Sequence, residues 1–229
     1  MSARPPPPEA LLLDYAAGAA GPSLGLLMAT HLAMSKESRA LFGLMETLGG
    51  ALLDDLEGEP LERISAVGLL DDAEQAGSLP APMLSPQEQA FEPATTSAEF
   101  ACDELPLPLT AVEGDVGDRR RWRRLGIGVA AAKLGVSSEQ ERAHLLWAKP
   151  GIGIATHRHV GREVVLVLKG AFWDDGVRFG PGDVALSEDG SVHSPRIGDN
   201  DECLCLAVTE APVHFTGIAG FALNRFCRF

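Results

Sequence analysis

Aromatic residues are scarce: tyrosine occurs once, and phenylalanine, tryptophan and tyrosine together make up 6% of the 229 residues. No apolar run approaches the ~18 residues that a bilayer-spanning helix needs. The opening MSARPPPPEA lacks the basic-then-apolar layout of a secretory leader, so a cytoplasmic protein is expected. Cysteine is equally sparse. Cys102, Cys203, Cys205 and Cys227 are spaced too irregularly for a disulfide framework and read as thiols of a reducing compartment. Positive charge is nearly missing from the front half, where 18 acidic residues face 4 basic ones through Glu113; the remainder holds 14 and 15. Such a front repels nucleic acid and suits a basic protein surface.

What the chain does contain changes character along its length. Pro5 to Pro8 followed by EALLLDYAAGAA predict a helix that ends at Gly21-Pro22, because proline suits a first helical turn and Glu9 complements its positive end. Ser23 can cap a second helix, and Ser35 or Ser38 a third, in which Leu41, Leu44, Met45, Leu48 and Leu52 recur at helical spacing. A fourth is expected from Leu61. Residues 78–104, rich in proline, serine and alanine, read as a linker. From about Leu105 short apolar runs alternate with glycine turns, the texture of a β-sandwich or barrel. The expected architecture is therefore an α plus all-β two-domain chain: a small helical bundle over residues 1–77, the linker, and a β domain over 105–229.

The stretch GIGIATHRHVGREVVLVLKG, residues 151–170, concentrates metal-binding side chains. Alternation along a strand sends His157 and His159 to one face and Arg158 to the other. Glu163 keeps that parity across a Val-Gly turn, and His193, after a later glycine turn, offers a fourth donor. Three imidazoles and one carboxylate suit zinc, with iron, manganese or nickel also compatible. No obvious further acid or base accompanies them.

These intervals resemble the cupin family. Its first motif, G(X)5HXH(X)3-4E(X)6G, is met by Gly151, His157, His159, Glu163 and Gly170. Its second, G(X)5PXG(X)2H(X)3N, is met by Gly182, Gly190 and His193, while Glu188 replaces the proline and Ile197 the asparagine. The resemblance implies a double-stranded β-helix barrel with a metal held by His157, His159, Glu163 and His193.

Over nearly its whole length, from LLLDYAAG through MATHLAMSKESRALFGLMETLGG to CLCLA, the chain is similar to the ChrR family of cupin-containing anti-sigma factors. That resemblance implies a helical front domain that binds an extracytoplasmic-function sigma factor, and a cupin that responds to oxidative signals of the singlet-oxygen type. Oxidation or ligand binding at the cupin would loosen the clamp. The family's front domain carries a zinc motif HxxxCxxC; here His31 stands with Ser35 and Ser38 in place of the thiolates. Hydroxyls are poor zinc ligands, so the front zinc is expected to be absent and the two serines to act as helix caps.

Cys203 and Cys205, two apart on an apolar strand, face one way; they read as small core residues with a redox-responsive role left open. DRRRWRRL, residues 118–125, reads as a solvated strand edge or a docking strip for the acidic front. His144 and His214 read as ordinary barrel residues, His144 being able to line a cavity. A homodimer through the cupin is expected to be possible, with neither nucleic acid nor membrane as a direct partner. The rival reading is a cupin metalloenzyme, a dioxygenase or isomerase of a small molecule.

Overall fold

A computed structural model describes residues 5, 8–58 and 105–216. The helix expected from Leu61, the linker 78–104, Cys102 and Cys227 lie outside the described residues. The chain divides into two compact units, residues 1–49 together with 98–229, and residues 50–97.

Four helices are described: α1 (Glu9–Ala16), α2 (Pro22–Met34), α3 (Lys36–Asp54) and α4 (Leu107–Glu113). Helix α4 lies where strand texture was expected, since Pro106 and Pro108 fix φ at a helix start and the Gly114 cap ends it. Ser23 is not the cap of α2. Gly21 takes that position, and the free N–H groups of Ser23 and Leu24 donate to the Glu141 carboxylate of the β domain at 3.2 and 3.3 Å. An acidic group brought in from elsewhere satisfies the positive helix end, so Ser23 is released to donate its hydroxyl to the Val136 carbonyl. Ser35 does cap α3, accepting the Ser38 N–H at 3.2 Å.

Twelve strands are described in the β domain. β1 (Trp122–Gly126), β2 (Val129–Lys133), β3 (Arg142–Ala148), β11 (Cys203–Thr209), β5 (Glu163–Lys169) and β8 (Val184–Ser187) form one sheet in that order. β10 (Arg196–Ile197), β6 (Phe172–Asp174) and β7 (Val177–Phe179) form a second, and β12 (His214–Phe215), β4 (His157–Arg158) and β9 (Val192–His193) a third. All pairings are antiparallel. Gly170, the last glycine of the HxH motif, turns the chain out of β5 at φ 72°, where a Cβ would collide with the Glu202 carbonyl.

The six-stranded sheet is buried on both faces at its centre. Alternate residues Leu204, Leu206 and Val208 join Leu11, Leu12, Leu24 and Leu27 of the helices in one apolar cluster. Cys203 and Cys205 point the other way, into a second cluster with Ala148, Val167, Phe172 and Ile197. The helical front and the sheet thus share a core. Leu27→Ala, at a fully buried α2 position, is expected to lower stability by ~2–5 kcal/mol. Because the core is shared, far- and near-ultraviolet circular dichroism should report one coincident melting transition, shifted down.

Candidate metal centre

His157 and His193 are direct cross-strand partners on β4 and β9, which puts their rings on the same face. His159 follows on the same strand parity, buried while Arg158 is exposed. Glu163 opens β5 in the large sheet, so the cluster sits where two sheets meet. The ligand atoms of His157, His159, Glu163 and His193 all lie within 4.8 Å of one another. The His193 Nε2 is 2.7 Å from the Nε2 of His159 and 2.9 Å from that of His157, and Glu163 Oε2 is 3.5 Å from His159 Nε2.

The outer ring nitrogens fix how those donors present themselves. His157 Nδ1–H donates to the Ala155 carbonyl at 2.9 Å, and His193 Nδ1–H to the Asp174 carboxylate at 2.6 Å. A carbonyl and a carboxylate can only accept, so each ring, when neutral, turns an Nε2 lone pair inward. Two such lone pairs 2.9 Å apart repel unless a cation or shared proton lies between them. Burial, then the charges of His157 and His193, push His159 down to about 4. Burial likewise lowers His157, against the opposing Ala155 hydrogen bond. Glu163 is raised to about 7, by burial first and by the Asp174 charge second. Imidazoles that burial holds toward neutrality at His157 and His159, and a carboxyl that ionises once a cation is near, match what a divalent ion requires, and the four ligand atoms are gathered within 4.8 Å of one another.

Asp174 escaped the sequence reading. It lies two residues before Gly176 in AFWDDG, and nothing there distinguishes it from other acidic turn residues. Its role comes from the pairing of β6 beside the cluster, where it orients His193 in the way metal-bound histidines are commonly held.

The cluster borders a cavity of about 320 Å³ whose wall is largely apolar. His157, Glu163, Asp174 and His193 face it, as do His144, Cys203 and Cys205. Burial, then Lys133 and Arg142, lowers His144 to about 4, so this ring is neutral at physiological pH. The two thiols are 3.5 Å apart; the hydrogen bond with Cys203 and then burial raise Cys205 well above the usual thiol range, which keeps it protonated.

His31, Ser35 and Ser38 also converge, away from this centre. His31 Nδ1–H donates to the Gly182 carbonyl at 3.0 Å, its Nε2 is 2.7 Å from Ser38 Oγ, and Ser35 Oγ donates to Ser38 Oγ at 3.0 Å. All three are buried. Two hydroxyls and a ring with both nitrogens engaged do not fit a zinc ion. The strip at 118–125 is split between roles. Arg121 pairs with Glu113 at 2.7 Å and Arg120 with Asp118 at 2.9 Å, while Trp122 to Gly126 form the edge strand β1.

A family model described as the ChrR cupin-like domain matches residues 116–213. The anti-sigma-E factor ChrR of Cereibacter sphaeroides is 35% identical over 220 residues, 96% of either chain. The chain belongs to the ChrR family of cupin-containing anti-sigma factors. The crystal structure of Rhodobacter sphaeroides SigE in complex with the anti-sigma ChrR superposes at a TM-score of 0.68 with 31% identity, covering 91% of this chain and 100% of that one. The helical front with a cupin-like β domain is thus the ChrR architecture, and the His/Glu cluster lies inside the matched cupin segment.

Asp174→Asn should cost ~10–100-fold in metal affinity, read by competition with a chromophoric chelator, because the amide holds His193 less firmly. Metal affinity should also fall as pH drops below about 7, the Glu163 value, since loading must then displace a proton. The stability sign is the reverse in the metal-free chain. A folded-state value raised above the ordinary carboxylate range gives a Glu163 contribution that is full at low pH and lost as pH rises through about 7. Calorimetric titration in buffers of different ionisation enthalpy checks the proton release.

Proposed function

We propose that the chain inhibits an extracytoplasmic-function sigma factor in the cytoplasm, binding it through the helical front of residues 1–77. In this reading the cupin of residues 105–229 holds a divalent ion, zinc foremost, through His157, His159, Glu163 and His193. That domain senses oxidative stress of the singlet-oxygen type. The observation that carries the reading is the leucine ridge of α3. Leu44, Leu48 and Leu52 fall on one helical face and are 68%, 62% and 61% exposed. Large aliphatic residues aligned on a helix and left in solvent mark a protein-binding surface. The acidic balance of the front half suits a basic, nucleic-acid-binding partner, and no described helix is long and apolar enough to cross a membrane.

When bound, the divalent ion would supply Lewis acidity and a tie between the paired strands β4 and β9 and the start of β5. The chain's own residues orient the donors: Ala155 and Asp174 fix two rings, and the apolar wall limits water. At the front, the His31–Ser38–Ser35 hydrogen bonds take the place of zinc. The acidic cavity end beside a metal set also supports a second reading, a metalloenzyme of a small molecule, which oxygen consumption by the iron- or manganese-loaded chain would reveal.

Co-expression with the cognate sigma factor should give a one-to-one complex on gel filtration, and Leu48→Asp should weaken it at least ~tenfold without moving the melting temperature, since Leu48 is exposed. Metal analysis of the purified chain should return one ion per chain, falling to none in a His157→Ala/His159→Ala variant. Ser35→Cys/Ser38→Cys should add a second, zinc-selective site beside His31.

A further inference from the structure

The cavity is graded from polar to apolar along its length, row by row across the large sheet. Thr209, Glu163 and Ser187 are aligned by register on β11, β5 and β8, and all three line it. Two residues further on, the aligned lining residues are Ala207, Val165 and Ala185, with His144 paired to Ala207. Beyond them come Leu146 with Cys205, then Val129 and Cys203, both paired with Ala148. The opposite wall repeats the gradient on β6, where Asp174 lines the polar end and Phe172, stacked on Phe179 at 5.0 Å, lies two residues back.

Two side-chain oxygens at the polar end are left over. Among the described residues three side-chain oxygens are buried without a hydrogen-bond partner: Ser191 Oγ, whose residue does not line the cavity, and Thr209 Oγ1 and Asp174 Oδ1, whose residues do. A buried polar atom left unmade costs ~1–3 kcal/mol, so a cavity that gathers two at one end is built for a guest that completes them. The carboxylate oxygen can only accept and the threonine hydroxyl can donate or accept. A group that donates to Asp174 and accepts from Thr209 is an O–H. Glu163 and Asp174 already place two acidic groups there, enough to neutralise one divalent ion, so an anionic head would add uncompensated charge in an apolar pocket. The volume, about 320 Å³, lies at the small end of ligand cavities. The rim continues the apolar character: Ile127, 93% exposed in the β1–β2 turn, also lines the cavity.

The geometry points to a small-molecule site in this cupin for a neutral amphiphile: an apolar tail along Val165, Leu146 and Phe172, and a single hydroxyl head between Thr209 and Asp174. It rests on the metal-bearing sensor proposed above and names the class of molecule that sensor takes.

Isothermal titration of the metal-loaded full chain with 1-octanol, octanoate and ethanol tests head and tail separately. Octanol should bind about a hundredfold or more tighter than ethanol, from burial of its methylenes. It should also bind about tenfold tighter than octanoate, from the cost of a third negative charge. Thr209→Val should weaken octanol about fivefold, while its melting temperature holds or rises because an unpaired buried hydroxyl has gone. Equal affinity for ethanol, a preference for octanoate, or an unchanged octanol affinity in Thr209→Val overturns the inference. Metal content and sigma-factor complex formation, measured on the same batch, report separately on the sensor reading. Loss of the octanol preference with both intact overturns the hydroxyl-amphiphile site alone.

Discussion

Every residue of β11, from Cys203 to Thr209, is buried, because a layer covers each face of that strand. Leu204, Leu206 and Val208 are pressed against α1 and α2, while Cys203, Cys205 and Thr209 face the cavity. Burial on both sides demands an unbroken run of apolar or small uncharged residues, and CLCLAVT is one. The remaining arrangement follows from this strand. Its two long neighbours, β3 and β5, are held in register by it, and β5 carries Glu163 to the cluster. A close-packed core transmits strain, so a strand with no solvent side cannot shift at the cavity without being felt beneath the helices.

The electrostatics of the cluster follow from the same burial. Water would normally solvate three imidazoles and two carboxylates; the barrel replaces it with each other's charge and a few backbone groups. Burial moves His157 and His159 down and Glu163 up, all toward neutrality. Such a set is poorly arranged without a cation or a shared proton, since the Nε2 atoms of His157 and His193 stand 2.9 Å apart. A divalent ion held by these four side chains would ease each cost at once, taking the lone pairs, favouring the ionised form of Glu163 and balancing the Asp174 charge. Folding therefore gathers a donor set that could hold a cation, with Asp174 adding a charge beside it and fixing the angle of the His193 ring.

Much of this was readable in the sequence, for reasons that differ by element. The HxH-E spacing gathers its side chains because strand parity is geometric: β4 carries His157, and His159, just beyond Arg158, returns to the same inner side. His193 was readable for the same reason, even though Glu188 and Ile197 depart from the usual motif; Ile197 simply joins the apolar wall beside Phe172. Asp174 was not readable, since its importance is a cross-sheet contact and its local sequence is an ordinary turn. The capping of α2 by Glu141 was equally hidden, because a partner 118 positions away displaces the local rule that favoured Ser23. Helix α4 was missed because strand texture was expected from about Leu105, where Pro106 and Pro108 instead open a helix. The shared core of helices and sheet could not be inferred either. Amphipathic helices announce that they bury a face, not which surface receives it.

The hydrogen-bonded trio at the front joins the helices to the β domain through side chains and backbone. His31 leaves α2 to reach Gly182, in the turn that delivers β8 to its pairing with β5; at the same time it gathers Ser38 and the Ser35 cap at the elbow between α2 and α3. Zinc would tie the elbow to itself. This network ties the elbow to the barrel. The sheet turn at Gly182 is continuous with Ala185 and Ser187 of the cavity wall, so cavity occupancy and helix placement bear on one strand pair from opposite ends. Coupling between sites is reciprocal: a guest that weakens sigma-factor binding must itself be bound more weakly, by the same factor, when the sigma factor is in place. If the α3 leucines take the sigma factor and the cavity takes a guest, as proposed above, β11 and His31 are the packed elements through which one site would bias the other.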